Sequence, residues 1–304
     1  MQPTTHPAGT DPITGPVPGV LARLRARWLT PDTKALLRAA LRGTARRVFN
    51  LSLAVAIFIA CWTALAYYLQ NYHFADRKLP YTIMPYAWDV WPVFVSELRD
   101  GELWQHTLAS AERVLKAIFY AVLVATPVGM GLGQIKQLNR IFSPLIGLAH
   151  PIPKIVFLPI ILAVLGIGED SKVFLIALIL FFQILVVVRD EAAGLRPELI
   201  QSVRSLGAGR RALFRYVYLP ASLPAVLTAL RVSVGTAVAV LFIAEQYSTK
   251  EGLGYYIVTL TWQRIRFEQM YAGILAMSLM GLALYTVVDV LERVVGRWRR
   301  AGEL

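Results

Sequence analysis

Residues 186–220 read VVVRDEAAGLRPELIQSVRSLGAGRRALFRYVYLP, a polar stretch with six arginines set between two long apolar runs. Those flanks decide the fold. Of 304 residues, 56% are hydrophobic and 16% charged, where a soluble domain carries about 25% charged residues. A bilayer core is crossed by a window of about 20 apolar residues. Such windows fall near 48–70, 110–134, 141–167, 172–189, 219–245 and 269–291. The expected fold is all-α, a polytopic membrane helical bundle of about six transmembrane helices.

Basic residues give the orientation. Arg and Lys crowd the chain ahead of the first window, the turn at Lys136 and Arg140, the quoted stretch, and the terminal Arg297-Trp298-Arg299-Arg300. The 71–105 loop, with Asp76, Asp89, Glu97, Asp100 and Glu102, shows no such excess. Cytoplasmic loops are the ones enriched in Lys and Arg, so both termini and residues 189–218 are expected in the cytoplasm. The net charge of +12 then reports topology and contact with anionic lipid. A nucleic-acid partner is not expected, because that needs a basic face on a folded soluble domain.

The chain divides into a cytoplasmic tail at 1–47, a first span and extracytoplasmic loop at 48–105, a core at 106–297 with its polar loop at 190–218, and a second tail at 298–304. Residues 1–20 have too little apolar content to fold. By contrast, DTKALLRAALRGTARRVF (32–49) puts Leu36, Leu37, Ala40 and Leu41 on one helical face. That pattern suits either a helix lying on an anionic surface or a solvated basic helix.

Catalytic chemistry finds little support. Cys61 is alone, and His6, His73, His106 and His150 lack the short ligand spacing of a zinc site, so no metal is expected. There is no Gly-x-x-x-x-Gly-Lys-Ser/Thr phosphate loop and no Gly-x-Ser-x-Gly nucleophile turn. The chain is expected to carry no cofactor and not to be an enzyme.

Within the polar stretch, Pro197 suits a first helical position, where its missing amide hydrogen costs nothing. Leu199, Ile200, Val203 and Leu206 share a face that fits a bundle, with Glu198, Gln201, Ser202, Arg204 and Ser205 elsewhere. Gly207 supplies the left-handed residue that commonly ends a helix. A second short helix is expected from Arg210 to Tyr218, ahead of Pro220.

The segment RSLGAGRRALFRYVYLPASLPAVLTALR (204–231) resembles the signature loop of permease subunits of ATP-binding-cassette importers, the binding-protein-dependent inner-membrane family. The family pattern is Glu-Ala-Ala, three residues, Gly, nine residues, then Ile-x-Leu-Pro. The literal Glu191-Ala192-Ala193 fails it, since Pro197 stands where Gly should. Anchoring on Gly207 brings Val217, Tyr218, Leu219 and Pro220 onto the closing motif and Gln201, Ser202 and Val203 onto the opening one. The resemblance implies that this loop docks on an ATPase subunit through Gln201, Ser202, Val203, Arg204, Ser205, Gly207, Arg210, Arg211, Leu219 and Pro220. Gln201 lacks the family's carboxylate, which shifts the expected contact toward the arginines.

Further segments, GELWQHTLASAERVLKAIFYAVLVATPVGMGLG, HPIPKIVFLPIILAVLGIGEDSKVFLIAL, AEQYSTKEGLGYYI and YAGILAMSLMGLALYTVVDVLERVVGRW, look like the nitrate, sulfonate and taurine branch. The resemblance implies a type I ABC importer-like fold in the cell's inner membrane, working by alternating access. It also implies a second copy of the permease as a homodimer partner, two ATPase subunits that bind ATP and Mg, and an extracytoplasmic solute-binding protein. An ion-gradient-driven secondary transporter is the alternative, disfavoured by the lack of a visible inverted repeat.

A solute path is sought where polar residues would be costly against lipid. Lys154 lies within HPIPKIVFLP (150–159), and a cation at mid-membrane costs about 2.5–3.5 kcal/mol. Pro151, Pro153 and Pro159 predict a broken helix there. Lys154 then faces a cavity or partner, or snorkels to an interface. Arg231 counts to about 18 Å beyond the start of the fifth span. Glu245 and Gln246 close that span at its outer side, as gate, binding-protein contact or exposed interface. Pro153, Lys154, Arg231, Glu245 and Gln246 are therefore the pathway residues proposed from sequence, and the two cations favour a small anion. Glu112 and Lys116 read as a helix-stabilising pair, Arg113 as a snorkelling side chain, and Trp88, Trp91 and Trp104 as interfacial anchors.

Overall fold

The computed structural model describes residues 31–73, 82–99, 101–247 and 249–296. Among them the regular structure is helical, with no strand. The chain divides into two units, Met1–Leu65 and Ala66–Leu304. Helix α1, Pro31–Tyr68, runs unbroken from the basic segment into the first apolar window and widens into a π turn at Leu69–His73. The expected surface helix and first span are thus one element, and the proposed boundary at residue 47 falls inside it. The tails at 1–30 and 297–304 lie outside the described residues, as does the side-chain face formed by Leu36, Leu37, Ala40 and Leu41.

After the end of α1, the second unit continues with α2 (Ala87–Arg99), the amphipathic segment that carries Trp88 and Trp91; both are exposed, as is Trp104. It continues through α3 (Leu103–Gln134), α4 (Lys136–Ala149), a 3-10 turn (Lys154–Phe157), α5 (Leu158–Leu165) and α6 (Glu169–Ala193). A short hairpin, α7 (Pro197–Ser205) and α8 (Arg210–Leu213), leads through a π turn (Phe214–Tyr218) into α9 (Leu219–Ala244). Then come α10 (Leu253–Tyr255), a π turn (Tyr256–Thr261), a 3-10 turn (Trp262–Arg264) and α11 (Phe267–Val295).

Five of these helical stretches are long and apolar enough to cross a membrane, and a sixth span requires joining α4 to Lys154–Leu165 across a bend of 83°. The 141–167 window is therefore bent at its prolines, as they predict, into a broken span or a re-entrant loop. The second span starts at Leu103, seven residues before the window near 110, because Leu103 and His106 already pack inside.

The core is built on the seam between α3 and α6. Along α3, Ala117, Ala121, Ala125, Gly129 and Gly133 recur every fourth residue, and the three alanines are buried. A Cβ on Gly129 would stand 3.0 Å from the Leu185 carbonyl oxygen, and one on Gly133 would stand 2.5 Å from that of Arg189. Lipid gives no hydrophobic drive for one helix to find another, so close van der Waals approach through small residues takes over. From α6, Leu175, Ile176, Leu180, Ile184 and Val188 are buried in the same core, and α9 packs against α6, α11 and α3. Ala192 closes the ladder opposite Gly133, and Gln134 Nε2 donates to the Ala192 carbonyl. The literal Glu191-Ala192-Ala193 thus ends a packed helix.

Candidate functional site

The hairpin is assembled by local rules. Pro197 takes the first helical position of α7, after Arg196. Ser205 Oγ donates to the Ser202 carbonyl at 2.8 Å, and the helix ends where the Gly207 N–H donates to the Arg204 carbonyl at 2.9 Å. Gly207 has φ +84°, the left-handed region, with open space where a Cβ would stand. Gly209 is extended and opens α8 with Arg210 and Arg211. Leu213 and Val217 are buried and anchor this second arm, and Leu219 and Pro220 begin α9. A proline ring crowds the carbonyl four residues back and offers it no donor. The wider π turn at Phe214–Tyr218 accommodates Pro220 in an otherwise continuous helix.

One expectation is overturned here. The apolar face of α7 does not lie against the bundle: no residue of α7 is buried, Leu199 is 49% exposed and Leu206 85%, and Tyr216 in the following turn is 70% exposed. Only Ile200 and Val203 are half-buried. Gln201, Ser202, Arg204, Ser205, Arg210 and Arg211 are exposed beside this apolar surface. Amphipathic periodicity shows that a face needs covering without saying what covers it.

The break in the third span is held by Lys154. Pro153 cannot donate to the Ala149 carbonyl, as a helical residue there would. Lys154 Nζ donates instead to the carbonyls of Ala149, His150 and Ile152, at 2.9, 2.8 and 3.2 Å. Its ammonium also lies 4.5 Å from the centre of the Phe182 ring, an attractive cation–π distance. Three carbonyls occupy its three hydrogens, so Lys154 is a cap for broken backbone.

Arg231 is likewise paired. Nη1 lies 3.3 Å from Asp289 Oδ1 and Nε 3.2 Å from Glu292 Oε2. Thr228 Oγ1 donates to Glu292 Oε1 at 2.8 Å, and Arg293 meets Asp289 Oδ2 at 2.6 Å. Asp289 is six residues from the end of α11, about 9 Å, so Arg231 sits nearer a helix end than counting along α9 indicates. Arg231 and Glu245 do not pair with each other.

At the far end of α9 a second cluster emerges that sequence reasoning missed. Arg113, expected to snorkel, is 2% exposed, and Glu245, placed among gates and exposed interfaces, is 0% exposed. Arg113 Nη1 donates to Glu245 Oε1 at 2.5 Å and to the Glu251 carbonyl at 2.9 Å. Nη2 donates to Glu169 Oε1 at 2.6 Å, and Nε donates to Glu169 Oε2, a two-pronged grip on the first residue of α6. The Glu245 carboxylate also accepts from Ser110 Oγ and the Gly254 N–H, both at 2.8 Å. The Leu253 N–H donates to Ser110 Oγ at 2.8 Å and the Gly252 N–H to His106 Nδ1 at 3.1 Å.

Gly252 has φ +118°, and a Cβ there would collide with the Arg113 guanidinium and the Glu245 carboxylate. The loop after α9 is thereby tied to α3 and α6. Gln246, half-buried in the next turn, donates its N–H to the Ile243 carbonyl at 3.2 Å. Glu112 and Lys116 form the expected surface pair at 2.6 Å, whereas Arg113 between them turns inward because helical neighbours point about 100° apart. The glycines at 252 and 254 were the available signal that a backbone loop approaches something closely.

Among the described residues no cluster of three or more His, Cys, Asp or Glu could hold a metal. The two ion clusters tie helix ends to neighbouring helices. Fold and site together define a multi-pass α-helical membrane protein with a protruding, uncovered hairpin.

Residues 121–301 match the family described as binding-protein-dependent transport system inner membrane component, and the chain belongs to that family. It is 33% identical over 199 residues to the taurine transport system permease protein TauC of Escherichia coli, covering 66% of this chain and 72% of that one. To the aliphatic sulfonates transport permease protein SsuC of Escherichia coli it is 27% identical over 222 residues, covering 73% and 84%. An inward-facing structure of the MetNI methionine ABC transporter shares the fold, with TM-score 0.54 and 20% identity over 65% of this chain and 99% of that one. The protein is thus a permease component of a binding-protein-dependent ABC importer, and such components are not themselves catalytic.

Proposed function

We propose that two copies of this chain form the membrane channel of an ATP-driven importer for a small sulfonate. The reading places both termini in the cytoplasm, two ATPase subunits with ATP and Mg on the α7–α8 hairpins, and a solute-binding protein on the opposite face. One observation carries it: Leu199, Leu206 and Tyr216 lie exposed beside Arg204, Arg210 and Arg211 on a hairpin that positive charge assigns to the cytoplasm. An apolar patch rimmed by basic residues is a docking surface, and the family supplies the kind of partner. Gln201 contributes no charge, so the arginines and the apolar side chains make the contact. ATP closure of the ATPase pair would draw the hairpins together and reorient the helices that follow Leu219 and Pro220. In this reading the wall of the path includes the broken span at Pro153 and Lys154, while Arg231, Glu245 and Gln246 brace α9 on either side of it.

The relatives' names point to taurine or another sulfonate as solute. The test is uptake of radiolabelled taurine and ethanesulfonate in cells with and without this gene. Loss of uptake on deletion, restored by the gene, supports the reading; uptake of both that is independent of the gene overturns the substrate.

A further inference from the structure

His106 is tied to the loop after α9 through an atom that accepts only while it carries no proton. Its Nδ1 accepts the Gly252 N–H at 3.1 Å, so the neutral ring keeps its single proton on Nε2. The residue is buried, and Nε2 has no hydrogen-bond partner. Glu102 Oε2 stands 3.7 Å from Nε2, beyond hydrogen-bond reach.

The groups that face the ring carry both signs. Glu102 at the head of α3 and Glu251 in the loop bring negative charge, and Arg113, two turns along α3, brings positive charge. The rings of Tyr255 and Tyr256 pack at 6.0 and 5.4 Å. The Tyr256 hydroxyl turns away to donate to Glu97 of α2 at 3.1 Å, and burial, with that carboxylate, holds its phenol pKa well above the usual tyrosine range. Glu102 and Glu251 are exposed, so solvent reaches the edge of the site.

The other ties of this loop run to the Arg113 guanidinium, the Ser110 hydroxyl and the Glu245 carboxylate. Imidazole is the side chain whose ordinary pKa places its change of charge between about pH 5 and pH 8. A second proton on His106 has only the Nδ1 lone pair to occupy. Both ring nitrogens are then donors, and two N–H groups would face each other where one bond now stands. Gly252 is wedged against Arg113 and Glu245, and a buried amide without an acceptor is costly, so the loop is what gives way.

We propose that His106 is an acid-sensitive latch: proton uptake at Nδ1 breaks the bond to Gly252 and releases the loop after α9 from α3. Solvent hydronium supplies the proton, Nδ1 gains an N–H bond and the ring gains one positive charge. The role in regulation rests on the transport reading, which puts this end of α3 on the extracytoplasmic side and makes external acid the signal. Release frees the outer end of α9, the helix that follows the coupling hairpin, so acid slows transport.

Amide hydrogen exchange at residues 249–254, in the full chain in lipid nanodiscs, tests the latch. After correction for the intrinsic rate, exchange should rise about tenfold between about pH 7.5 and about pH 5.5. His106→Asn supplies an amide oxygen that accepts from Gly252 and does not titrate, so the rise should disappear. Exchange independent of pH in the wild type, or rising equally in His106→Asn, would overturn the latch. Deuterium exchange at the imidazole C2 position titrates His106 in the unaltered protein; a midpoint that does not coincide with loop release overturns it too, even where the variant fails to fold. In cells with the transport partners, taurine uptake by the wild type should fall at least threefold relative to His106→Asn over the same change of external pH, and equal profiles would overturn the regulatory role. If neither protein transports taurine, the sulfonate reading fails while the exchange result decides the latch.

Discussion

Arg113 shows at the scale of one residue how burial converts a charge into a brace. Its guanidinium holds Glu245 and Glu169 from two different helices and the Glu251 carbonyl from a loop. Removing one member of a buried pair leaves the other charge uncompensated, at about 3–5 kcal/mol. Arg113→Met is therefore expected to lower the thermal unfolding midpoint in detergent more than Glu112→Gln, its exposed neighbour, does. An Arg113→Met, Glu245→Met double variant should recover part of the loss, and additive losses would show that the pair is not coupled. Arg231→Met would leave Glu292 without its cation and Asp289 with Arg293 alone, so its first effect should be on yield and stability, ahead of any effect on solute selection. Lys154→Met frees three carbonyls at the span break, and reduced folded yield is the expected readout.

Between helices, the α3 seam and the hairpin give opposite expectations for glycine. Gly131 has open space where a Cβ would stand, and Gly133 has the Arg189 carbonyl oxygen there at 2.5 Å. Gly131→Ala should be neutral or stabilising by up to about 1 kcal/mol from helix propensity. Gly133→Ala must push α3 from α6, and its unfolding midpoint should fall. Gly207 is constrained by its backbone, since its Cβ position is open and its φ is +84°. A β-branched residue there meets a conformation costing about 1–2 kcal/mol. Gly207→Val should leave the protein inserted while weakening co-purification with the ATPase and abolishing uptake; unchanged co-purification would place the coupling surface elsewhere. The Glu191-Ala192-Ala193 stretch is no neutral control for this experiment, because Ala192 is buried opposite Gly133.

For the whole molecule, the absence of a phosphate loop from the sequence predicts that the purified chain alone hydrolyses no ATP and gains activity only in complex with a nucleotide-binding subunit. Steady ATP hydrolysis by the chain alone would contradict the permease assignment's division of labour. The sequence by itself determined five long apolar helices, the break at Pro151 and Pro153, and the hairpin with its left-handed turn at Gly207, because apolar run length, proline's missing donor and glycine's freedom at positive φ are local properties. Tertiary structure alone decided what each polar side chain meets. Arg113, Lys154, Arg231 and Glu245 look alike in a string, as charges at or within apolar windows. Their partners lie on different helices, or in carbonyls freed by a bend, and in a low-dielectric interior the identity of that partner decides whether a charge braces the fold or is free to meet a solute.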